Sequence, residues 1–323
     1  MDMSHRPQAR AAPGIMPPIP PPEARENEEI AAPDFVGVGT MRSGTTWWYR
    51  LLAAHPAVAE PGQRDKEVHF FDHYTRVAAF DPASYYRYFP RPPGTVCGEW
   101  TPRYMYDYWT PAMLRRAAPN AKILVLLRDP VKRFLSGLSY NRSHGYQMTH
   151  ALLHQQYERS LYGVQIGALF AHYPPEQVLV LQYERCAADP VGQIRRTLEF
   201  IGVDPADWRG ESMIQTRVNH SREAPPELDP ATYQALSAAL CADLPGLFEL
   251  VPGLDPGLWP TAAFMPPGLS AQFTGDNDLM TDPARLGEQR RAQPFPQSSQ
   301  PRRDHHQVEG LVGKSGPGPY RVQ

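Results

Sequence analysis

Short apolar runs alternate along the chain with segments whose apolar positions recur every third or fourth residue. This alternation predicts an α/β domain with a parallel sheet. The clearest strands are "DFVGVG" (34–39), "KILVLL" (122–127) and "QVLVLQY" (177–183), each followed by polar or Gly/Asp punctuation. "EVHFF" (67–71) and "TVCGEW" (95–100) read as shorter strands. After the first strand, Trp48, Leu51 and Leu52 stand at helical spacing within 45–54, and "HP" at 55–56 ends the helix. After "KILVLL", Asp129 is a natural N-cap and Pro130 suits the first helical position. Residues 150–172 read as one long helix, and 189–203 as another that stops at Gly202. A last helix and a series of Pro/Gly turns close the domain before Trp259.

The flanks break the pattern. Residues 1–33 and 266–323 are rich in Pro, Gln, Gly and charge, with too few apolar residues to offset the entropy of ordering them. One domain is expected at 34–265, between disordered extensions. A formal net charge of −2 and a pI near 6.6 give no basic field to suggest nucleic acid. No apolar run approaches the roughly eighteen residues that a membrane span requires, and the N-terminus lacks the apolar segment of a secretory signal. The odd, widely spaced cysteines Cys97, Cys186 and Cys241 argue against a disulfide framework, and a cytoplasmic location is expected. Only four of the 32 basic residues are Lys, and Ala and Pro are frequent, which suggests a GC-rich bacterial genome.

The segment joining the first strand to the first helix, "GTMRSGTT", carries the first candidate chemistry. Gly39 and Gly44 keep the G-x-x-x-x-G spacing of a phosphate loop, but Thr45 stands where a nucleotide hydrolase places Lys, and Thr46 follows. Converging amides at a helix start form an anion site through the backbone alone, and the hydroxyls of Ser43, Thr45 and Thr46 add donors. Arg42 lies earlier in the loop, so it would reach another part of the ligand. The dinucleotide fingerprint is absent, because Arg42 takes its third glycine position. A kinase or NTPase is weakened by Thr45, and by a proline after Asp129 that makes helix capping the natural task of that acid. Further along, "KILVLLRDPVKRFLS" sets Arg128 at a strand end and Ser136 about two turns into the next helix, where guanidinium and hydroxyl can converge on a further phosphate.

With these residues in hand, the chain resembles the sulfotransferases that use 3′-phosphoadenosine 5′-phosphosulfate, particularly the heparan sulfate branch. "GTMRSGTTWWYRLLAAHP" looks like the family's 5′-phosphosulfate loop, "KEVHFFD" like its acceptor-site strand and "ILVLLRDPVKRFLSGL" like its 3′-phosphate motif. "DPASYYRYFP", "GEWTPRYM" and "YPPEQVLVLQYERCAADP" follow in family order, so the resemblance covers about 34–259. It implies a P-loop-like three-layer domain whose central parallel sheet is flanked by helices. It also implies a donor that ends in one phosphate carrying a sulfonate, for which no lysine at Thr45 is needed. The resemblance places Ser43, Gly44, Thr45 and Thr46 on the 5′-phosphate, Arg42 on the leaving group as a fixed charge, and Arg128 and Ser136 on the 3′-phosphate. Ser160 and Tyr162 of "RSLYGVQIGAL" become candidate contacts on the adenine side, and Arg217 a candidate near the 3′-phosphate. No metal is required; His69 and His73 lack a third ligand.

In an extended "KEVHFF", Glu67 and His69 project to one face, and either could accept the proton of an acceptor hydroxyl. The resemblance assigns the base to Glu67 and a supporting or orienting role to His69. Heparan-type enzymes often carry a lysine before "TP"; here it is Trp100, followed by Arg103. That departure favours a small or glycosylated acceptor over a heavily sulfated polysaccharide. Tyr85, Tyr86, Tyr88, Trp100, Tyr104, Tyr106, Tyr108 and Trp109 would form core and cleft wall near the base, which suits a ring-bearing acceptor. The competing readings are a P-loop kinase or NTPase, and a nucleotide-binding protein of the same fold without turnover.

Overall fold

The computed structural model describes residues 20–60, 66–74, 80–216, 224–269 and 273. The strands in chain order are β1 (Glu29–Ile30), β2 (Phe35–Gly39), β3 (Val58–Ala59), β4 (Pro90–Arg91), β5 (Val96–Trp100), β6 (Lys122–Leu127) and β7 (Val178–Gln182). The helices are α1 (Thr45–Ala53), α2 (Pro82–Tyr86), α3 (Thr110–Ala117), α4 (Pro130–Ser143), α5 (His150–Glu158), α6 (Tyr162–Phe170), α7 (Tyr183–Ala188), α8 (Pro190–Phe200), α9 (Pro230–Cys241) and α10 (Leu244–Leu250). Five strands form one sheet in the order β3-β5-β2-β6-β7, with every pair parallel. The remaining pair, β1 with β4, is antiparallel, and its first strand lies upstream of the boundary expected at 34.

Period-two alternation divides the buried strands between two cores. Ile123, Val125 and Leu127 of β6 join Met113, Leu114, Tyr162, Ile166, Leu169 and Phe248 on one face. Leu124 and Leu126 join Trp48, Leu51, Leu52, Ile194, Leu198 and Trp208 on the other. Helices α3, α6 and α10 therefore cover one side and α1 and α8 the other, which makes the three layers. Burial on both faces is why β2, β6 and β7 read as continuous apolar runs. The cysteines are free and buried, and among the described residues no helix is long and apolar enough to cross a membrane.

Three expected elements differ, the last helix being two, α9 and α10. "EVHFF" is not a strand: Glu67 to His69 have no regular structure, and Phe70–His73 is a 3-10 turn entered through His69 at φ 55. The long helix at 150–172 is two helices, because Arg133 of α4 intervenes. Its guanidinium donates to Ser160 Oγ at 2.7 Å and to the carbonyl of Gln156. That carbonyl would otherwise accept from the amide of Ser160, which bonds Tyr157 instead.

Candidate active site

The loops that leave the C-terminal ends of β2, β5, β6 and β7 meet at one edge of the sheet, where open α/β folds bind ligands. The β2–α1 loop rests on its neighbours through glycines. A Cβ on Gly37 would lie 2.1 Å from the Trp100 ring, and one on Gly44 would lie 2.8 Å from the Tyr183 ring. Gly44, at φ 89, is the N-cap of α1 and makes no side-chain cap. The first amides of a helix lack intrahelical partners, so this uncapped end is an anion seat. Thr45 is buried at the start of α1 and Thr46 half-buried beside it. Thr40 Oγ1 gives its proton to the Leu126 carbonyl at 3.0 Å, so Ser43 Oγ, 2.5 Å away, donates to Thr40. That hydroxyl braces the loop from beneath.

Arg42, at φ 70, turns its guanidinium toward α4. Its Nε donates to Ser136 Oγ at 3.3 Å, and the group lies over the Tyr140 ring at 4.8 Å. Arg128 lies over the Tyr183 ring at 5.1 Å and donates from Nη1 to the Arg42 carbonyl at 3.3 Å. The structure thus gathers Arg42, Arg128 and Ser136, which the sequence assigns to two ends of the donor, into one cluster. Burial pushes the Arg42 guanidinium pKa down, and the Arg128 charge adds to that fall. Arg133, fully buried in α4, is pushed down to about 10 by burial, and Arg159, Arg42 and Arg128 contribute. Arg159 falls to about 10 for the same leading reason; it lies over Tyr106 and touches Met41 of the loop.

Tyr162 lies behind Arg128. It is fully buried, and its hydroxyl donates to the Arg128 carbonyl at 2.9 Å, so it fixes Arg128 from behind. Ser160 is likewise buried and committed to Arg133. Arg217 lies outside the described residues.

Glu67 and His69 meet through the turn rather than through strand alternation. Glu67 Oε2 lies 3.2 Å from His69 Nε2 and Glu67 Oε1 lies 2.6 Å from Lys66 Nζ. His69 Nδ1 is 2.9 Å from Asp72 Oδ2. Burial opposes charge on His69, but hydrogen bonds to Asp72 and Glu67 outweigh it and raise its pKa to about 10. Burial likewise opposes charge on Glu67, and Lys66 and His69 overcome it, holding the carboxyl below its ordinary range. Sequence reading missed Asp72, because an extended chain puts residues three apart on opposite faces and a turn puts them together. Tyr140 and Lys66 were missed as well. Trp100 lines no acceptor surface: it is fully buried, and Nε1 donates to the Gly39 carbonyl at 3.0 Å. Lys66 Nζ, paired with Glu67, donates to the Trp100 carbonyl at 2.9 Å. Tyr85 and Tyr104 are core, with Phe70 and Phe71 packed on them, whereas Tyr108 and Trp109 are exposed.

The raised His69 pKa gives a pH prediction. A folded-state value above the unfolded 6.5 means that His69 adds stability fully below about pH 6.5, and that this contribution fades as the pH rises toward about 10. Denaturant melts of the natural chain and of His69→Asn between pH 6 and 10 should converge as the pH rises. A constant gap would show that His69 is not charged through its carboxylate partners.

The sulfotransferase domain family matches residues 32–233 of this chain. The chain is 28% identical over 190 residues to mouse heparan sulfate glucosamine 3-O-sulfotransferase 3B1, a match covering 53% of this chain and 46% of that protein. It is 34% identical over 112 residues to the membrane-associated sulfotransferase kil1 of Dictyostelium discoideum, covering 34% and 23%. The match to the heparan sulfate relatives spans about half their length. The fold is similar to that of a sulfotransferase from Alicyclobacillus acidocaldarius, with TM-score 0.55 and 23% identity over 69% of this chain and 96% of that one. With the family matching through the loop, the turn and the Arg128 segment alike, this chain belongs to the sulfotransferase family.

Proposed function

We propose that the protein transfers a sulfonate group from 3′-phosphoadenosine 5′-phosphosulfate to a hydroxyl of a small or glycosylated acceptor, with Glu67 as general base. The arginine cluster carries this reading. Arg128 Nη1 donates to the Arg42 carbonyl at 3.3 Å, and burial together with the Arg128 charge pushes the Arg42 guanidinium pKa down. A ligand with negative charge at two ends relieves that repulsion, and the uncapped start of α1 supplies a second anion seat beside it. The residues therefore fit a nucleotide bearing separate 3′ and 5′ anions. No lysine stands at Thr45 to bridge a β/γ-phosphate pair, as a kinase would place it.

In the transfer, the acceptor oxygen bonds to sulfur as the bond from sulfur to the 5′-phosphate oxygen breaks. The hydroxyl proton passes to Glu67, and charge grows on the phosphate beside Arg42 and the α1 amides. Both ring nitrogens of His69 face carboxylate oxygens. An imidazole donating from both is protonated and has no lone pair for the acceptor's proton, which favours Glu67 as the base. Glu67 Oε1 pairs with Lys66 and Oε2 with His69, and each carboxylate oxygen can accept more than one hydrogen bond. The sugar hydroxyl named in the heparan-type relatives' descriptions suggests a glycosylated acceptor. Because Trp100 is buried, it carries no information on the acceptor's charge.

Calorimetric titration should show 3′-phosphoadenosine 5′-phosphate binding at least about tenfold tighter than ADP or ATP, since each charge-assisted phosphate contact is worth about 1.5–3 kcal/mol. Tighter, magnesium-dependent ATP binding would reverse the reading in favour of a kinase.

A further inference from the structure

The base-bearing segment lacks regular structure, yet three successive amides in it are tied to one buried carboxylate. Val68 N donates to Glu99 Oε2 at 2.9 Å. His69 N donates to Thr101 Oγ1 at 3.2 Å, and Thr101 Oγ1 in turn donates to Glu99 Oε2 at 2.5 Å. Phe70 N donates to the Tyr104 hydroxyl at 2.9 Å, which in turn donates to Glu99 Oε1 at 3.0 Å. Tyr85 donates to the same oxygen at 2.6 Å. Glu99 is fully buried and takes no part in the chemistry described above.

The direction of these bonds explains why a carboxylate sits there. It can only accept, so both hydroxyls must point their protons at it, and each then offers its lone pairs to an amide. Burial pushes the Glu99 pKa up, and the four donors oppose that rise. The same stretch also reaches the donor side. Glu99 and Trp100 stand in register with Val36 and Gly37 of β2, Trp100 Nε1 holds the Gly39 carbonyl, and Lys66 Nζ holds the Trp100 carbonyl.

We propose that Glu99 and Thr101 are positioning residues that set Glu67 and His69 at a fixed height over the donor loop, acting through the amides of Val68, His69 and Phe70. The proposal rests on Glu67 being the base. A glutamine at 99 presents an NH2 group to one of the donors, which forces a hydroxyl to turn and release its amide. A valine at 101 removes one relay while keeping the shape.

The test measures kcat and the Kd for 3′-phosphoadenosine 5′-phosphate in Glu99→Gln, Thr101→Val, Thr101→Ser, Glu67→Gln and a control, Tyr173→Phe, which loses a buried hydroxyl bond to the Ala118 carbonyl. Glu99→Gln and Thr101→Val should lower kcat by about tenfold to a hundredfold, the scale of a small misplacement. Their nucleotide Kd should stay within about twofold, Thr101→Ser should restore kcat, and Tyr173→Phe should leave it unchanged. Should Glu99→Gln not fold, the Thr101 pair decides alone. Unchanged kcat in Thr101→Val, or kcat and nucleotide affinity falling together, overturns the proposal. If Glu67→Gln stays active, the base assignment fails instead; if Glu67→Gln is dead while Glu99→Gln and Thr101→Val are fully active, only the positioning role fails.

Discussion

Glu67→Gln is expected to lower kcat by about a hundredfold to ten-thousandfold, the range for loss of a general base, with the Kd for 3′-phosphoadenosine 5′-phosphate unchanged within about twofold. Glutamine keeps the shape of the side chain and its place beside Lys66 and His69. It loses the charge and the capacity to take a proton. Arg128 keeps its own contacts, the Arg42 carbonyl and the Tyr183 ring, so binding and chemistry should separate. Loss of one carboxylate should also bring the His69 pKa down from about 10, while Asp72 keeps it above the ordinary value. Proton NMR titration of the imidazole checks this second readout. Retention of more than about a tenth of the natural kcat would remove Glu67 from the role and return it to His69.

Arg128→Ala is expected to raise the nucleotide Kd by about tenfold to a hundredfold, read by calorimetry, since hydrogen bonds to charged groups are worth about 1.5–3 kcal/mol and each 1.4 kcal/mol is tenfold. Arg128 is held on three sides. Tyr162 bonds its carbonyl, Glu184 Oε1 accepts from the next amide at 3.0 Å, and its guanidinium lies over Tyr183. Its Nε is buried with no hydrogen-bond partner among the described residues, a donor for which a phosphate oxygen is the fitting acceptor. Arg128→Lys should bind with intermediate strength, because it keeps the charge but loses the planar fork. An unchanged Kd in Arg128→Ala would move the 3′-phosphate seat elsewhere.

Much of this was legible in the chain. The apolar runs gave β2, β6 and β7 because strands buried on both faces admit no polar break. Asp129 and Pro130 marked the start of α4 because capping is a local matter, and Asp129 does accept from the Lys132 amide. Gly39 and Gly44 marked the loop because few other residues fit a turn so close to its neighbours. The resemblance added the family, with Arg42, Glu67, Arg128 and Ser136 as its candidates.

The misses share one cause. Sequence periodicity describes how a segment relates to itself, and says nothing of what lies across from it. "EVHFF" alternates like a strand, but the hydrogen bonds of its amides go to Glu99, Thr101 and Tyr104, so it turns and brings Asp72 to His69. The helix at 150–172 breaks because Arg133, from another helix, takes the carbonyl that would have continued it. Nothing in the local pattern shows the inward partners of Trp100, Tyr162 and Ser43, which are the Gly39 carbonyl, the Arg128 carbonyl and the Thr40 hydroxyl. The sequence by itself determined the sheet-forming segments, the anion loop and the types of residue at the site, because these depend on local backbone preference and residue chemistry. Only the tertiary structure decided which side chains face the cleft and which brace it, because that depends on contacts between segments tens of residues apart.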